Sequence, residues 1–344
     1  MESSVSVPGR VNLIGEHIDY LGFPVLPMAI TRRLTLRFTP RPDRLIRVSS
    51  PDYGTREFEW LPALPPYPPG DFGNYVKAAA QAVATRWGSG KWGLSGGFDG
   101  TLTSTIPAAA GLSSSSALVT AVTLALLRLG GIEPDFEALM EVLPEGERYV
   151  GTRGGGMDHA VCLAGRKGCA LRLDFDPVRF HAEPIPPVWA FFVAHSLRRA
   201  EKSGAARDEY NHRRALAQSG DPSALRHAKS ERERVEQAIA AMRRGDLPAF
   251  GALLDESHRS LRDDLRVSCE QADRLVESCR AAGAAGARIM GAGFGGYVLG
   301  VCDRRHAPDV LGRLERDHFA GLPERAQFPD YLMQVEAGEG ALSL

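Results

Sequence analysis

Polar and apolar positions alternate, or β-branched residues gather, over Val5 to Val7, Leu34 to Thr39, Ile46 to Ser49 and Gly97 to Thr105. Such stretches predict strands in the first third of the chain. The pattern then changes period. From about Asn74 a capped helix is expected, and from Ser114 to Leu129 a long apolar helix, stopped by Gly130-Gly131. A β-like run from Gly168 to Asp174 and an apolar strand from Val188 to Ala194 flank a proline cluster, Glu183 to Pro187. Helical periodicity dominates afterwards, over Ala205 to Gln218, Ser223 to Arg244 and Leu247 to Leu261, with Gly245-Asp246 separating the last two. Strands return at Ala287 to Met290 and Tyr297 to Cys302. Strands and helices mix without regular βαβ alternation, so two α+β domains are expected, residues 1–180 and 181–344. A second proline cluster, Leu61 to Gly70, holds five prolines in ten residues and must be an extended loop.

Composition narrows the function. The 344 residues carry 41 Lys+Arg against 42 Asp+Glu, a net charge of -1 that shows no cationic excess for a nucleic-acid partner. Five cysteines, odd in number and without C-x-x-C spacing, argue for a reducing compartment and against a zinc cluster. No apolar leader precedes Arg10, and the longest apolar run, Ala117 to Leu127, is interrupted by Thr120 and Thr123. It falls short of the ~20 residues a membrane span needs, so a cytoplasmic protein with no membrane partner is expected.

Four segments concentrate chemistry. Pro107-Ala-Ala-Ala-Gly-Leu-Ser-Ser-Ser-Ser-Ala-Leu118 joins a strand to the apolar helix. The helix N-terminus there is a ready anion site, small residues let a phosphate approach, and a serine hydroxyl can ligate Mg²⁺. Judged alone, a serine-rich cap with no ligand is the plainer reading. No Walker A sequence exists, since Gly90-Lys91 lacks both the upstream Gly and the following Ser or Thr. Gly291-Ala-Gly-Phe-Gly-Gly296 fits G-x-G-x-x-G, but a strand follows it where a dinucleotide fingerprint opens a helix. That loop is either a plain turn or the wall of a ligand site. Pro8 to Tyr20 packs Arg10, Asn12, Glu16, His17 and Asp19 into ten residues, a set costly to bury unless its members pair with each other or with a polyhydroxylated ligand. Gly151-Thr-Arg-Gly-Gly-Gly-Met-Asp-His159 sets a lone carboxylate, Asp158, at the start of a short apolar helix, where by itself a helix N-terminal role is commoner than a catalytic one.

In this order the segments resemble the GHMP small-molecule kinases. Gly9-Arg-Val-Asn-Leu-Ile-Gly-Glu-His-Ile-Asp-Tyr20 resembles the galactokinase signature, and the serine and glycine loops resemble the second and third GHMP motifs. Asn74-Tyr-Val-Lys77, Glu209 to Arg214 and Glu256 to Asp264 are also similar to galactokinase stretches. The resemblance implies an N-terminal domain like ribosomal protein S5 domain 2, a ferredoxin-like C-terminal domain, and an active site between them. It implies ATP and Mg²⁺ as cofactors and a sugar substrate. Asp158 matches the catalytic carboxylate and Arg10 the arginine beside it; Glu16, His17, Asp19, Gly155 and Tyr210 match sugar-contacting positions. Gly111, Leu112, Ser113, Ser114 and Ser115 match the triphosphate loop, Ser115 as Mg²⁺ ligand, with Gly293 in the third motif. Phe72, Asn74 and Tyr75 lie where the family frames the adenine.

Departures bear on the sugar. Few residues precede the signature, His159 stands where Gln is usual, and the stretches from Glu16 and Glu147 look closer to the N-acetylgalactosamine kinase branch. D-galactose is the expected substrate, with N-acetylgalactosamine, another aldose or a uronic acid as rivals. A non-catalytic sugar and ATP sensor is the reading from another class, disfavoured because Ser113-Ser-Ser-Ser-Ala117, Asp158 and Arg10 are whole. Oligomeric state is left open between monomer and weak dimer.

Overall fold

A computed structural model describes residues 2–61, 63–88, 96–107, 111–151, 154–198 and 205–342. Pro62, Gly90-Lys91, Ala108 to Ala110 and Thr152-Arg153, all within segments named above, lie outside them. The chain opens with two long strands, β1 (Ser3–Ile14) and β2 (Leu26–Pro40), then β3 (Leu45–Ser50), β4 (Gly54–Glu59), helix α1 (Gly73–Trp87) and β5 (Phe98–Ser104). These strands form one sheet in the order β1-β2-β5-β3-β4, antiparallel except for β3 beside β5. Helices α2 (Ser114–Leu129), α3 (Phe136–Tyr149) and α4 (Met157–Ala164) follow. The apolar α2 packs on β1, β2, α1 and α4, which explains why nearly all of its residues are buried.

A hairpin of β6 (Cys169–Asp174) and β7 (Arg179–Pro184) leads through Ile185 to Val188 into β8 (Trp189–His195). The expected division at 180/181 therefore falls inside β7. Then come α5 (Ala205–Ser219), α6 (Pro222–Arg244), α7 (Leu247–Asp263), α8 (Glu270–Ala282), β9 (Gly286–Ile289), β10 (Tyr297–Asp303), α9 (Ala307–Leu314) and β11 (Leu332–Val335). The second sheet is antiparallel in the order β11-β8-β10-β9. Period-two geometry splits β8 cleanly: Trp189, Phe191 and Val193 join the larger core, Ala190, Phe192 and Ala194 a second one on the opposite face. A strand buried on both faces reads as a continuous apolar run, as Val188 to Ala194 does.

Three differences from expectation have physical causes. β1 runs to Ile14 because Pro8 sits on the sheet's edge strand and the Pro8/Arg10 register shift absorbs the break. Helix α3 continues through Pro144, which reads as a breaker in sequence. Helix α8 is missing from the expected elements although Ala272, Leu275, Val276, Cys279 and Ala282 recur at helical spacing and are buried, whereas the four-residue β11 is too short to carry a period. Among the described residues no helix is long and apolar enough to cross a membrane, all five cysteines are free thiols, and no cluster of three metal-ligating side chains occurs.

Candidate active site

Strand β1 delivers Arg10 against the loop that precedes α2. The Arg10 backbone N–H donates to Leu112 O (3.1 Å), and its guanidinium Nη1 to Gly111 O (2.5 Å). The rest of the guanidinium faces α4, where Nε and Nη2 both lie 2.7 Å from Asp158 Oδ1. Burial alone would lower the Arg10 pKa; Asp158 and then Glu16 reverse this and raise it. The other carboxylate oxygen accepts from Ser113 Oγ at 2.6 Å. Gly111, Leu112, Ser113 and Asp158 are thus joined through one arginine, although 148 positions separate Arg10 from Asp158.

Ser113 does not cap α2 as a serine there is expected to. It is held in the left-handed region (φ 62°), and its hydroxyl goes to Asp158 instead. No side chain caps the helix, so the first-turn N–H groups at Ser114, Ser115 and Ser116 keep their capacity for an anion. Ser114 and Ser115 are half-buried on that turn. Ser116, fully buried, donates to Glu147 Oε1 at 2.6 Å. His159 Nε2 lies 3.6 Å from the same oxygen, and His159 Nδ1 3.4 Å from Thr120 Oγ1. The unusual histidine thus points into a buried polar group behind the serine loop.

The other end of β1 turns sharply at Gly15 (φ 98°) and His17 (φ 60°) into a 3-10 turn, Asp19–Leu21. Glu16 Oε2 is 3.0 Å from the fully buried Arg288 of β9. His17 Nε2 lies 3.2 Å from Ala292 O in the glycine loop, and since a carbonyl only accepts, that nitrogen bears the proton. Burial, and then His227, hold the His17 pKa at about 3, so the ring is neutral. Asp19 Oδ2 accepts from Gly155 N–H at 3.0 Å. A Cβ on Gly155 would stand 2.5 Å from the Asp19 carbonyl carbon, which is why this position needs glycine. Burial, and then the charge of Asp158, push Asp19 up to about 6. From α5, Tyr210 brings its ring within 5.3 Å of His17 and 6.2 Å of Tyr20.

The glycine loop lies against the serine loop, since a Cβ on Gly291 would be 3.7 Å from Gly111 Cα. Gly293 (φ 84°) presses on Val267 instead: a Cβ there would sit 2.2 Å from the Val267 carbonyl oxygen. The expected adenine frame is divided. Phe72 is buried 5.9 Å from the Tyr53 ring, with Arg56 5.8 Å away. Tyr75 lies close enough to Glu147 that burial and that charge raise its pKa to about 12. Asn74, by contrast, spends its amide on the proline loop, accepting from Tyr67 N–H and donating to Tyr67 O and Pro68 O.

Sequence reasoning missed Arg288 altogether and gave no role to Glu147, Ser116 or Tyr20, although these lie in segments named above. Only the fold shows each of the four buried at the site. Ser115 lies on the first turn of α2, and Glu147 is bonded to Ser116 of the same turn, so a hydroxyl and a carboxylate, both hard oxygen donors, belong to this end of the helix. That suits Mg²⁺, which takes one or two carboxylates and completes its shell with phosphates and water.

Comparison with known proteins identifies the family. Residues 74–166 match the GHMP kinases N terminal domain, residues 238–321 the GHMP kinases C terminal, and residues 2–40 the galactokinase galactose-binding signature. The chain is 34% identical to galactokinase of Homo sapiens, covering 100% of this chain and 93% of that protein. It is 34% identical to galactokinase of Roseiflexus sp. (strain RS-1), over 87% and 83% of the two chains. The crystal structure of Lactococcus lactis galactokinase complexed with galactose superposes with a TM-score of 0.86 at 25% identity, covering 98% and 94%. L. major mevalonate kinase in complex with R-mevalonate shares the fold, with a TM-score of 0.72 at 20% identity over 98% and 96%.

Proposed function

The chain belongs to the galactokinase family of GHMP kinases, ATP-dependent galactose 1-kinases, and we propose that it phosphorylates the anomeric hydroxyl of D-galactose with Asp158 as base. The observation that carries this assignment of roles is the Arg10–Asp158–Ser113 group beside the uncapped N-terminus of α2. Asp158 takes the proton of the sugar hydroxyl, and the freed oxygen attacks the γ-phosphorus of ATP in line with the departing ADP. Arg10 orients Asp158 and stabilises charge on the transferring group. Phosphoryl transfer asks for positioning and neutralised charge more than covalent help, and the first turn of α2 offers both.

The sugar is held by Glu16, His17, Asp19, the Gly155 amide and Tyr210, whose carboxylates and ring suit hydroxyls. Ser115 and Glu147 would hold Mg²⁺, which would supply neutralising charge to the phosphates of ATP. Phe72 and Tyr75 flank the base, and Asn74 shapes the loop around it. ADP release measured across galactose, N-acetylgalactosamine, glucose, arabinose and galacturonate tests the reading. Galactose should give the highest kcat/KM; a higher value for another sugar would reassign the substrate, and no turnover with any would favour a sugar and ATP sensor.

A further inference from the structure

The turn Gly15-Glu16-His17 carries two residues with positive φ, Gly15 and His17. It is held from outside. Glu231 of α6 is fully buried, and one of its oxygens, Oε1, accepts the backbone N–H of Gly15 (3.0 Å), that of Glu16 (3.2 Å) and the hydroxyl of Ser257 (2.7 Å). Its other oxygen accepts from Arg234 Nε at 2.8 Å. One turn earlier on α6, His227 Nε2 donates to Glu16 O at 2.9 Å. Both the donor and the acceptor of the Glu16 backbone are therefore bonded to α6, while Arg288 holds Glu16 Oε2 from β9. Burial alone pushes the Glu231 pKa up, but His227, Arg234 and Arg288 outweigh it and hold the group at about 2, so the carboxylate stays charged.

A buried carboxylate collecting two adjacent backbone amides fixes their direction as an anion site does in reverse. With the Glu16 backbone bonded at both its N–H and its carbonyl and Oε2 held by Arg288, the Glu16 carboxylate is fixed in direction. We propose that Glu231 is a positioning residue of the sugar site: it never touches the sugar, but sets the turn on which Glu16 and His17 present themselves to it. This rests on the reading that Glu16 contacts the sugar, and the test separates the two.

Glu231→Ala should raise the KM for galactose about tenfold or more while the KM for ATP stays within about twofold. If that variant folds poorly, the double variant Glu231→Leu/Arg234→Met removes the same bonds with similar volume and no stranded charge, and should show the same split. Glu231→Gln keeps a carbonyl oxygen for the two amides but sets its NH₂ against Arg234. It should lower Tm yet leave the galactose KM near wild type, a rescue that loss of stability alone cannot produce. A galactose KM unchanged in Glu231→Ala or in the double variant, or shifted equally in Glu231→Gln, overturns the proposal. Glu16→Ala is the control: if it leaves the galactose KM unchanged, the sugar-contact reading fails and this proposal falls with it. If it raises that KM while Glu231→Ala does not, only the positioning role falls.

Discussion

Replacing Asp19 by asparagine should stabilise the ligand-free protein and weaken its hold on sugar, and both effects should depend on pH. The Asp19 carboxyl is raised from 3.8 to about 6 by burial and then by the neighbouring Asp158. A folded pKa above the unfolded one means that the native state binds the proton more tightly. The contribution to stability is therefore fully present below pH ~4 and lost as pH rises through about 6. At pH 8 the wild-type protein carries an ionised Asp19 at a cost. A shift of roughly 2 units corresponds to about 3 kcal/mol at most, and because the side chain is only partly buried, about 1–2 kcal/mol is the better expectation. The asparagine of the variant has no charge to desolvate and keeps a carbonyl for the Gly155 N–H, so Asp19→Asn should gain that amount at pH 8 and nothing at pH 4. In a chain of this size the gain is a few degrees in Tm. Function moves the other way: an ionised acceptor is worth about 1.5–3 kcal/mol in a buried hydrogen bond, so the galactose KM should rise about 10- to 100-fold. In the wild type the same KM should climb as pH falls through about 6, and in the variant it should not. Thermal melts at pH 4 and pH 8, with galactose KM profiles between pH 5 and 8, measure all of this. Equal pH dependence in the two proteins, or a variant less stable at pH 8, would refute the reasoning.

Three other expectations are sharper in outcome. Asp158→Asn should keep galactose binding within a few-fold by calorimetry yet lower kcat by roughly 10²–10⁴, the range for a lost base; near-wild-type turnover removes Asp158 from that role. Gly293→Val places a side chain 2.2 Å from the Val267 carbonyl oxygen at φ 84°, so the folded yield or Tm should fall sharply. A normal Tm with normal steady-state constants would mean the loop is not packed as described. Glu147→Gln should raise the Mg²⁺ concentration needed for half-maximal rate about tenfold while the galactose KM holds; an unchanged Mg²⁺ requirement would leave Ser115 without its partner.

The parts of the site legible in the sequence are those where chemistry forces local rarity. A serine run after glycine, glycines ahead of Asp158 and a charged cluster on a strand edge all violate the pattern of the elements around them, and that makes them visible. The helpers are hidden because they obey it. Glu231 sits in Ser230-Glu-Arg-Glu-Arg234, which reads as a solvated helix stripe, yet Glu231 is fully buried while Arg232 and Glu233 are exposed. Arg288 occupies a short strand where an apolar residue is the natural expectation, and its bonds to the carbonyls of Leu13 (2.9 Å), Ile289 (3.0 Å) and Asn12 and to Glu16 Oε2 (3.0 Å) explain a guanidinium there. Asn74 shows the opposite failure: its place beside the proline loop is legible, but only the fold shows that its amide is consumed by that loop.

A net charge of -1 conceals a polarised site. On the proposed reading, three carboxylates, those of Glu16, Asp19 and Asp158, face the sugar, whereas the bare N-terminus of α2 faces the phosphates. Left unpaired, those carboxylates would repel the polyphosphate they must meet. Each is instead committed to a donor before any ligand arrives: Glu16 to Arg288, Asp19 to the Gly155 amide, Asp158 to Arg10 and Ser113. Arg10 has the central place, because one guanidinium reaches both Asp158 and the Gly111 carbonyl at the mouth of the serine loop. A lysine has a single point of charge and cannot hold both in a fixed plane. The arginine therefore links the geometry of the base to that of the phosphate loop. A local clamp of this kind, more than any broad charged surface, lets a nearly neutral chain bring an anion to a cluster of acids.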